Sequence, residues 1–195
     1  MRRFVMLVGV LALVCALCVA LLAKPQEVRA EGTVICFEAE SGAIEAPFEK
    51  ATTPKADKKP VKPQKSSGGY VLIPAKANGA KKGRDDLPGK VTFKVKVPAK
   101  GEYWVWGRCL WPNGCGNSFY VRKADGKNQI MGEDGTYDVW HWMKCRDFKL
   151  ALSQGVNTII VANREDGVML DQVFLTTTDR VPQGAEKVTA GALAE

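Results

Sequence analysis

Histidine is nearly absent from this chain of 195 residues: His141 is the only one. That removes the commonest general base and the commonest neutral metal ligand. His141 also lies between Trp140 and Trp142 on an expected strand, with no spaced Ser or Cys partner, and reads as structural. There is no Cys-x-x-Cys, so a zinc site has neither thiolate pairs nor imidazoles to build it. No phosphate-cradling glycine loop and no nucleophile elbow occur. Carboxylates are plentiful, but a glycosidase pair needs a long cleft and normally a larger scaffold. Catalysis is therefore not expected. Beyond residue 30 no stretch repeats its apolar residues at helical spacing, which excludes a helical architecture.

What is present begins with an apolar leader. Arg2 and Arg3 precede an uncharged run from Phe4 to Ala23, and Val28-Arg29-Ala30 offers a small-residue cleavage site. Residues 1–30 are expected to be a signal peptide, which makes the mature chain secreted or resident in the cell envelope. An uncleaved anchor is the rival reading of a run this long. Val14 and Leu17, which precede Cys15 and Cys18, are not the small residues a lipid-attachment site prefers. Without residues 1–30 the chain loses Arg2, Arg3, Lys24, Arg29 and Glu27, and its formal charge falls from +7 to about +4. Much of the remaining excess is Lys55, Lys58, Lys59, Lys62 and Lys65, interleaved with Pro54, Pro60 and Pro63. No aromatic residues accompany them to stack bases, so residues 51–67 read as a solvated loop and nucleic acid is not an expected partner.

Cys36, Cys109, Cys115 and Cys145 remain in the mature chain. An even count in a secreted protein predicts two disulfides, with three possible connectivities. A Cys109–Cys115 bridge would pin the Leu-Trp-Pro-Asn-Gly loop and leave Cys36 for Cys145; four buried thiols are the alternative.

Strand signals fill the rest. Lys90 to Val97 alternates strictly, with Val91, Phe93, Val95 and Val97 on one face and Lys90, Thr92, Lys94 and Lys96 on the other. That pattern predicts a half-buried strand of an antiparallel sheet. Further strands are expected over 33–40, 44–48, 70–73, 102–110, 118–122, 128–131, 139–142, 148–152, 156–162 and 170–175, separated by turn residues such as Asp125-Gly126. The fold class is all-β, a jelly-roll β-sandwich of two antiparallel sheets over residues 31–182, with 183–195 as a frayed tail. Trp104, Trp106 and Trp142 read as core or inter-sheet packing. Asp171, inside the apolar run from Leu170 to Leu175, requires a charged partner or a metal, because an unpaired buried carboxylate is costly.

Several strings, in this order, resemble carbohydrate-binding modules of families six and thirty-five. They are Glu38-Ala39-Glu40 near the start, Gly101-Glu102-Tyr103 with Arg108 behind it, and Trp140-His141-Trp142. Gly155-Val156-Asn157-Thr158-Ile159 and the closing Arg164 to Asp171 complete the set. The resemblance spans roughly Thr33 to Leu175. It implies a galactose-binding-like sandwich with a structural calcium held by Glu38, Glu40 and Asp171. Calcium takes six to eight oxygens, and Glu38 and Glu40, two apart on an expected strand, would share a face.

Sugars lay their C–H faces on aromatic rings and give their hydroxyls to nearby polar groups. Trp111, in a loop, and Trp140, where the resemblance places a sugar-stacking ring, are the expected platform, with Tyr137 just upstream. Asn117, Arg164 and Asp166 are the expected polar partners. The expected function is a secreted non-catalytic module that binds a polysaccharide or glycan. The alternative is a structural module that binds envelope proteins and no sugar.

Overall fold

The computed structural model describes residues 32–52, 67–79 and 83–195. The expected signal peptide and nearly all of the Lys/Pro-rich stretch lie outside the described residues.

Eleven strands form among the described residues, all paired antiparallel. They are β1 (Val34–Glu38), β2 (Ala43–Glu45), β3 (Glu49–Ala51), β4 (Tyr70–Leu72), β5 (Lys90–Val97), β6 (Gly101–Leu110), β7 (Ser118–Lys123), β8 (Gln129–Gly132), β9 (His141–Leu152), β10 (Gly155–Ala162) and β11 (Met169–Thr176). A six-stranded sheet runs β3-β4-β11-β6-β9, with β1 also paired to β11; a five-stranded sheet runs β2-β5-β10-β7-β8. The expected two-sheet antiparallel sandwich is what forms.

The alternation of β5 does what its sequence predicts. Val91, Phe93, Val95 and Val97 are buried, and the lysines between them are not. Phe37 from β1 meets Phe93 from the opposite sheet at 5.0 Å between ring centroids. Each such side chain contributes about 1.5–3 kcal/mol when fully buried. Tyr103 anchors the turn before its own strand by donating its hydroxyl to Ala99 O at 2.7 Å. The segments expected over 139–142 and 148–152 are one strand: β9 is continuous, and a register shift opposite Trp104 and Trp106 absorbs the residues between.

Two expectations are corrected here. Residues 183–195 are not a frayed tail. The Thr189 hydroxyl accepts from Cys36 N at 3.0 Å, Lys96 N donates to Ala192 O at 2.7 Å, and Ala192 and Leu193 join the inter-sheet core. These contacts lie far apart in sequence, which is why no local pattern announced them. The disulfides are also not formed: Cys36, Cys109, Cys115 and Cys145 are all free. Cys109 and Cys145 point into the core between the sheets, whereas Cys36 lies between the core residues Ile35 and Phe37 and so faces the other side of its sheet. Cys115 is exposed on its loop while Cys109 is buried, so neither expected bridge brings its sulfurs together.

Candidate functional site

Asp171 owes its position to a backbone irregularity. The register of β11 against β6 jumps between Leu170 and Gln172, leaving Asp171 as a bulged residue. Bulges re-aim side chains out of the strand alternation. The bulge sits where β4 ends its pairing with Met169 and Leu170 and β1 begins its pairing with Gln172. Asp171 is wholly buried and makes an ion pair with Arg108, itself 3 % exposed. Its Oδ1 also accepts from Ser67 N and Ser67 Oγ, each at 3.0 Å. The Ser67 hydroxyl also contacts Glu38, so its one proton serves either Glu38 or Asp171; the other Glu38 oxygen accepts from Gln172 Nε2 at 3.1 Å. Burial pushes the Glu38 carboxyl above its ordinary range; hydrogen bonds from Ser67 and Gln172 oppose this, and the charges of Glu40 and Asp171 add to it.

Glu40 reaches this junction by a different route from the one expected. β1 stops at Glu38, and Ala39–Ser41 is a 3-10 turn, so strand alternation does not carry Glu40 to the face of Glu38. Its carboxylate instead lies over Gly69, where an added Cβ would stand 2.6 Å from Glu40 Oε1. Glu40 Oε2 is buried with no hydrogen-bond partner among the described residues. No three His, Cys, Asp or Glu residues among the described residues form a ready-made metal cage. The orphaned Glu40 oxygen is by itself a donor of the kind a hard, oxygen-seeking cation takes.

The rim formed by the loops at one end of the sandwich brings together the segments that carry Asn117, Arg164 and Asp166. Arg164 pairs with Glu133 at 2.8 Å and Glu165 at 3.0 Å and also donates to Ser118 Oγ. Glu165 Oε2 accepts from Asn117 N at 2.9 Å and from Ser118 Oγ at 2.6 Å. Asp166 Oδ1 accepts from Asn78 N at 2.8 Å, and Asn78 exchanges paired amide hydrogen bonds with Asn163 at 2.8 and 2.7 Å. Gly116 is required here, since a Cβ would lie 2.2 Å from Asp166 O. Tyr137 is 39 % exposed, and its hydroxyl approaches Gly114 of the neighbouring loop.

The two expected stacking rings are not on this rim. Trp111 is fully buried against Phe119 and His141, in the core between the sheets. Trp140, 3 % exposed, packs edge-on to Tyr70 at 5.6 Å and under the Arg108 guanidinium at 5.6 Å. Both are corrected from sugar platform to packing. Trp111 lies in a loop, yet that loop folds back over the open end of the sandwich, where a large ring is needed as a plug.

The reverse correction applies to Trp104, Trp106 and Trp142. They alternate with the buried Tyr103, Val105 and Met143, and stand half-buried on the outer face of the six-stranded sheet. A signal was available for two of them: the directly opposed partners of Trp104 and Trp106 in β9 are Lys149 and Lys144, which mark the solvent side, whereas Trp142 stands opposite the buried Arg108.

No family model matches the chain, and no curated protein matches it. Solved structures do. A family 35 carbohydrate-binding module from Clostridium thermocellum superposes with a TM-score of 0.51 at 14% identity, covering 73% of this chain and 97% of that one. A module from lichenase 5A of Cellvibrio mixtus, CBM6cm-2 in complex with cellotriose, gives 0.50 at 18% identity, covering 75% and 99%. A GH26-CBM35 beta-(1,4)-mannanase from Podospora anserina gives 0.53 at 17% identity over 76% of this chain, which spans 29% of the mannanase. The fold of this chain is that of the family 6 and family 35 carbohydrate-binding modules.

Proposed function

We propose that the chain is a secreted, non-catalytic module that binds a glycan at the loop rim around Arg164. The carrying observation is that the loops bearing Arg164, Asp166 and the buried Asn117 meet at one end of the sandwich, with the exposed Tyr137 against Gly114 of the adjoining loop. Tyr137 supplies a ring face. Arg164, held at 13 % exposure by two carboxylates, supplies fixed donors for hydroxyls. The fold likeness supports a module of this kind. The test is a glycan array with the chain lacking residues 1–30. Tyr137→Ala should lower affinity for the retained glycans roughly tenfold, the scale of one lost stacking contact, with an unchanged melt. Full binding by that variant would sink the rim assignment.

Calcium is proposed as the cation that Glu38, Glu40 and Asp171 would hold, and its chemistry there is to tie the first strand to the last. The partnerless oxygen of Glu40 supports this. The burial of Trp111 and Trp140 favours one rival reading, an envelope module that binds protein rather than sugar. A silent glycan array, with a defined envelope partner recovered in its place, would establish that rival.

A further inference from the structure

Two Asn-Gly pairs occur in the chain, Asn78-Gly79 and Asn113-Gly114, and the fold treats them oppositely. Such a pair can close on itself, because glycine has no Cβ to hold its backbone nitrogen away from the asparagine side-chain carbonyl. Whether it does depends on how those two groups are otherwise engaged.

Asn78 is 8 % exposed and tied on every side. Its Nδ2 donates to Asn163 Oδ1 at 2.8 Å, its Oδ1 accepts from Asn163 Nδ2 at 2.7 Å, and the Gly79 N–H donates to Lys76 O at 3.2 Å. Asn113 and Gly114 are both exposed, on the loop between β6 and β7. Gly116 N donates to Asn113 O at 3.1 Å, which closes a turn, and Asn113 Oδ1 accepts from Cys115 N at 2.8 Å. This side-chain turn curls the Asn113 amide towards the residues that follow it. The Cys115 N–H also stands at the oxygen on which negative charge develops when Cγ is attacked. Neither Asn113 Nδ2 nor the Gly114 N–H has a hydrogen-bond partner among the described residues. A Cβ on Gly114 would meet only the phenol end of Tyr137, at 3.2 Å, so the pair is open to solvent.

We propose that Asn113 is a site of spontaneous deamidation, which places a carboxylate on the rim loop. The Gly114 N–H loses its proton to hydroxide and the nitrogen attacks Asn113 Cγ. The N–Cγ bond forms, the Cγ–Nδ2 bond breaks, and Nδ2 leaves as ammonia with a proton taken from water. Water then opens the cyclic imide at either carbonyl, giving aspartate or isoaspartate. Nothing is oxidised or reduced, and water is the only co-reactant. Isoaspartate adds a methylene to the main chain at residue 113. The loop has no slack to absorb it, since a Cβ on Gly116 would already stand 2.2 Å from Asp166 O. The contact between Gly114 and Tyr137 is therefore displaced, and the rim loses glycan affinity. Only this last effect rests on the glycan-binding reading.

The test incubates the folded full chain in mildly alkaline heavy-oxygen water and maps its peptides by mass spectrometry. Asn113 should take up heavy oxygen at least roughly tenfold faster than Asn78, which must wait for local opening. In urea the two should convert at similar rates. Asn113→Gln, whose longer side chain closes a larger ring far more slowly, should stay unlabelled at that position, and Gly114→Ala should slow conversion of Asn113. Conversion of Asn78 as fast as Asn113 in the folded chain would overturn the inference. So would an Asn113 that stays intact there while both convert in urea. Aged and fresh chains are then compared on the glycan array. The aged chain should bind more weakly, with no such loss in Asn113→Gln; equal binding would overturn the effect on the rim. A fresh chain that binds no glycan while Asn113 converts keeps the modification and overturns the rim reading instead.

Discussion

Two arginine–carboxylate centres use the same chemistry to opposite ends. Arg108 and Asp171 are 3 % and 0 % exposed, whereas Arg164 pairs with Glu165 at 13 % and with Glu133 at 52 %. The first pair has left water, and its attraction must offset the full desolvation of both ions. It is held in place by Ser67 on one side and Trp140 on the other. The second keeps one wet arm, since Glu133 is half exposed, and that is the carboxylate a ligand hydroxyl would replace. Burial thus makes one centre a structural tie and the other a candidate binding group.

The sharpest way to break this comparison is Arg108→Met. It leaves Asp171 buried and unpaired, and should lower stability by about 3–5 kcal/mol in urea melts; a loss no larger than that at the rim would erase the distinction. Next in size is cation removal. With calcium at a hundredfold excess over its dissociation constant, binding adds about 2.7 kcal/mol. Chelator should then lower the Tm by roughly 5–10 °C, and a Tm indifferent to calcium and chelator would argue against an ion at Glu38, Glu40 and Asp171.

Arg164→Met should cost only about 1–2 kcal/mol of stability while removing glycan binding at the rim. A variant that unfolds would place Arg164 with Arg108. The smallest effect is chemical. Burial pushes the Cys36 and Cys145 thiols up to about 12 and raises Cys109 well above its ordinary value, while Cys115 is exposed. In a chain lacking residues 1–30, one thiol should react with a soluble disulfide reagent in the folded state, and all four after denaturation. No reactive thiol in the folded state would restore a bridge through Cys115.

The fold was legible because strands announce themselves locally. Val91 to Val97 carries a period of two that survives intact in the structure, and Tyr103 to Trp106 keeps one over the first half of β6. The rim was legible in part, since Asn117, Arg164 and Asp166 lie in loops between strands, and loops collect at the ends of a sandwich. The aromatic roles were not. Period two separates the faces of a strand but does not say which face receives the second sheet. Trp104 and Trp106 were therefore assigned inward, although the lysines opposite them in β9 carried the information once the pairing was known.

The sequence by itself determined that this protein is all-β, where most of its strands run, and that Asp171 needs a partner. Tertiary structure alone decided that the partner is Arg108, 63 residues away. It also decided that a bulge delivers the carboxylate there, that the C-terminal segment is tied down, and that Trp111 is a plug while Trp104 faces out. The physical reason is common to all four. Local pattern records which side chains avoid water, but burial and charge pairing are set by surfaces that meet only after the sheets pack.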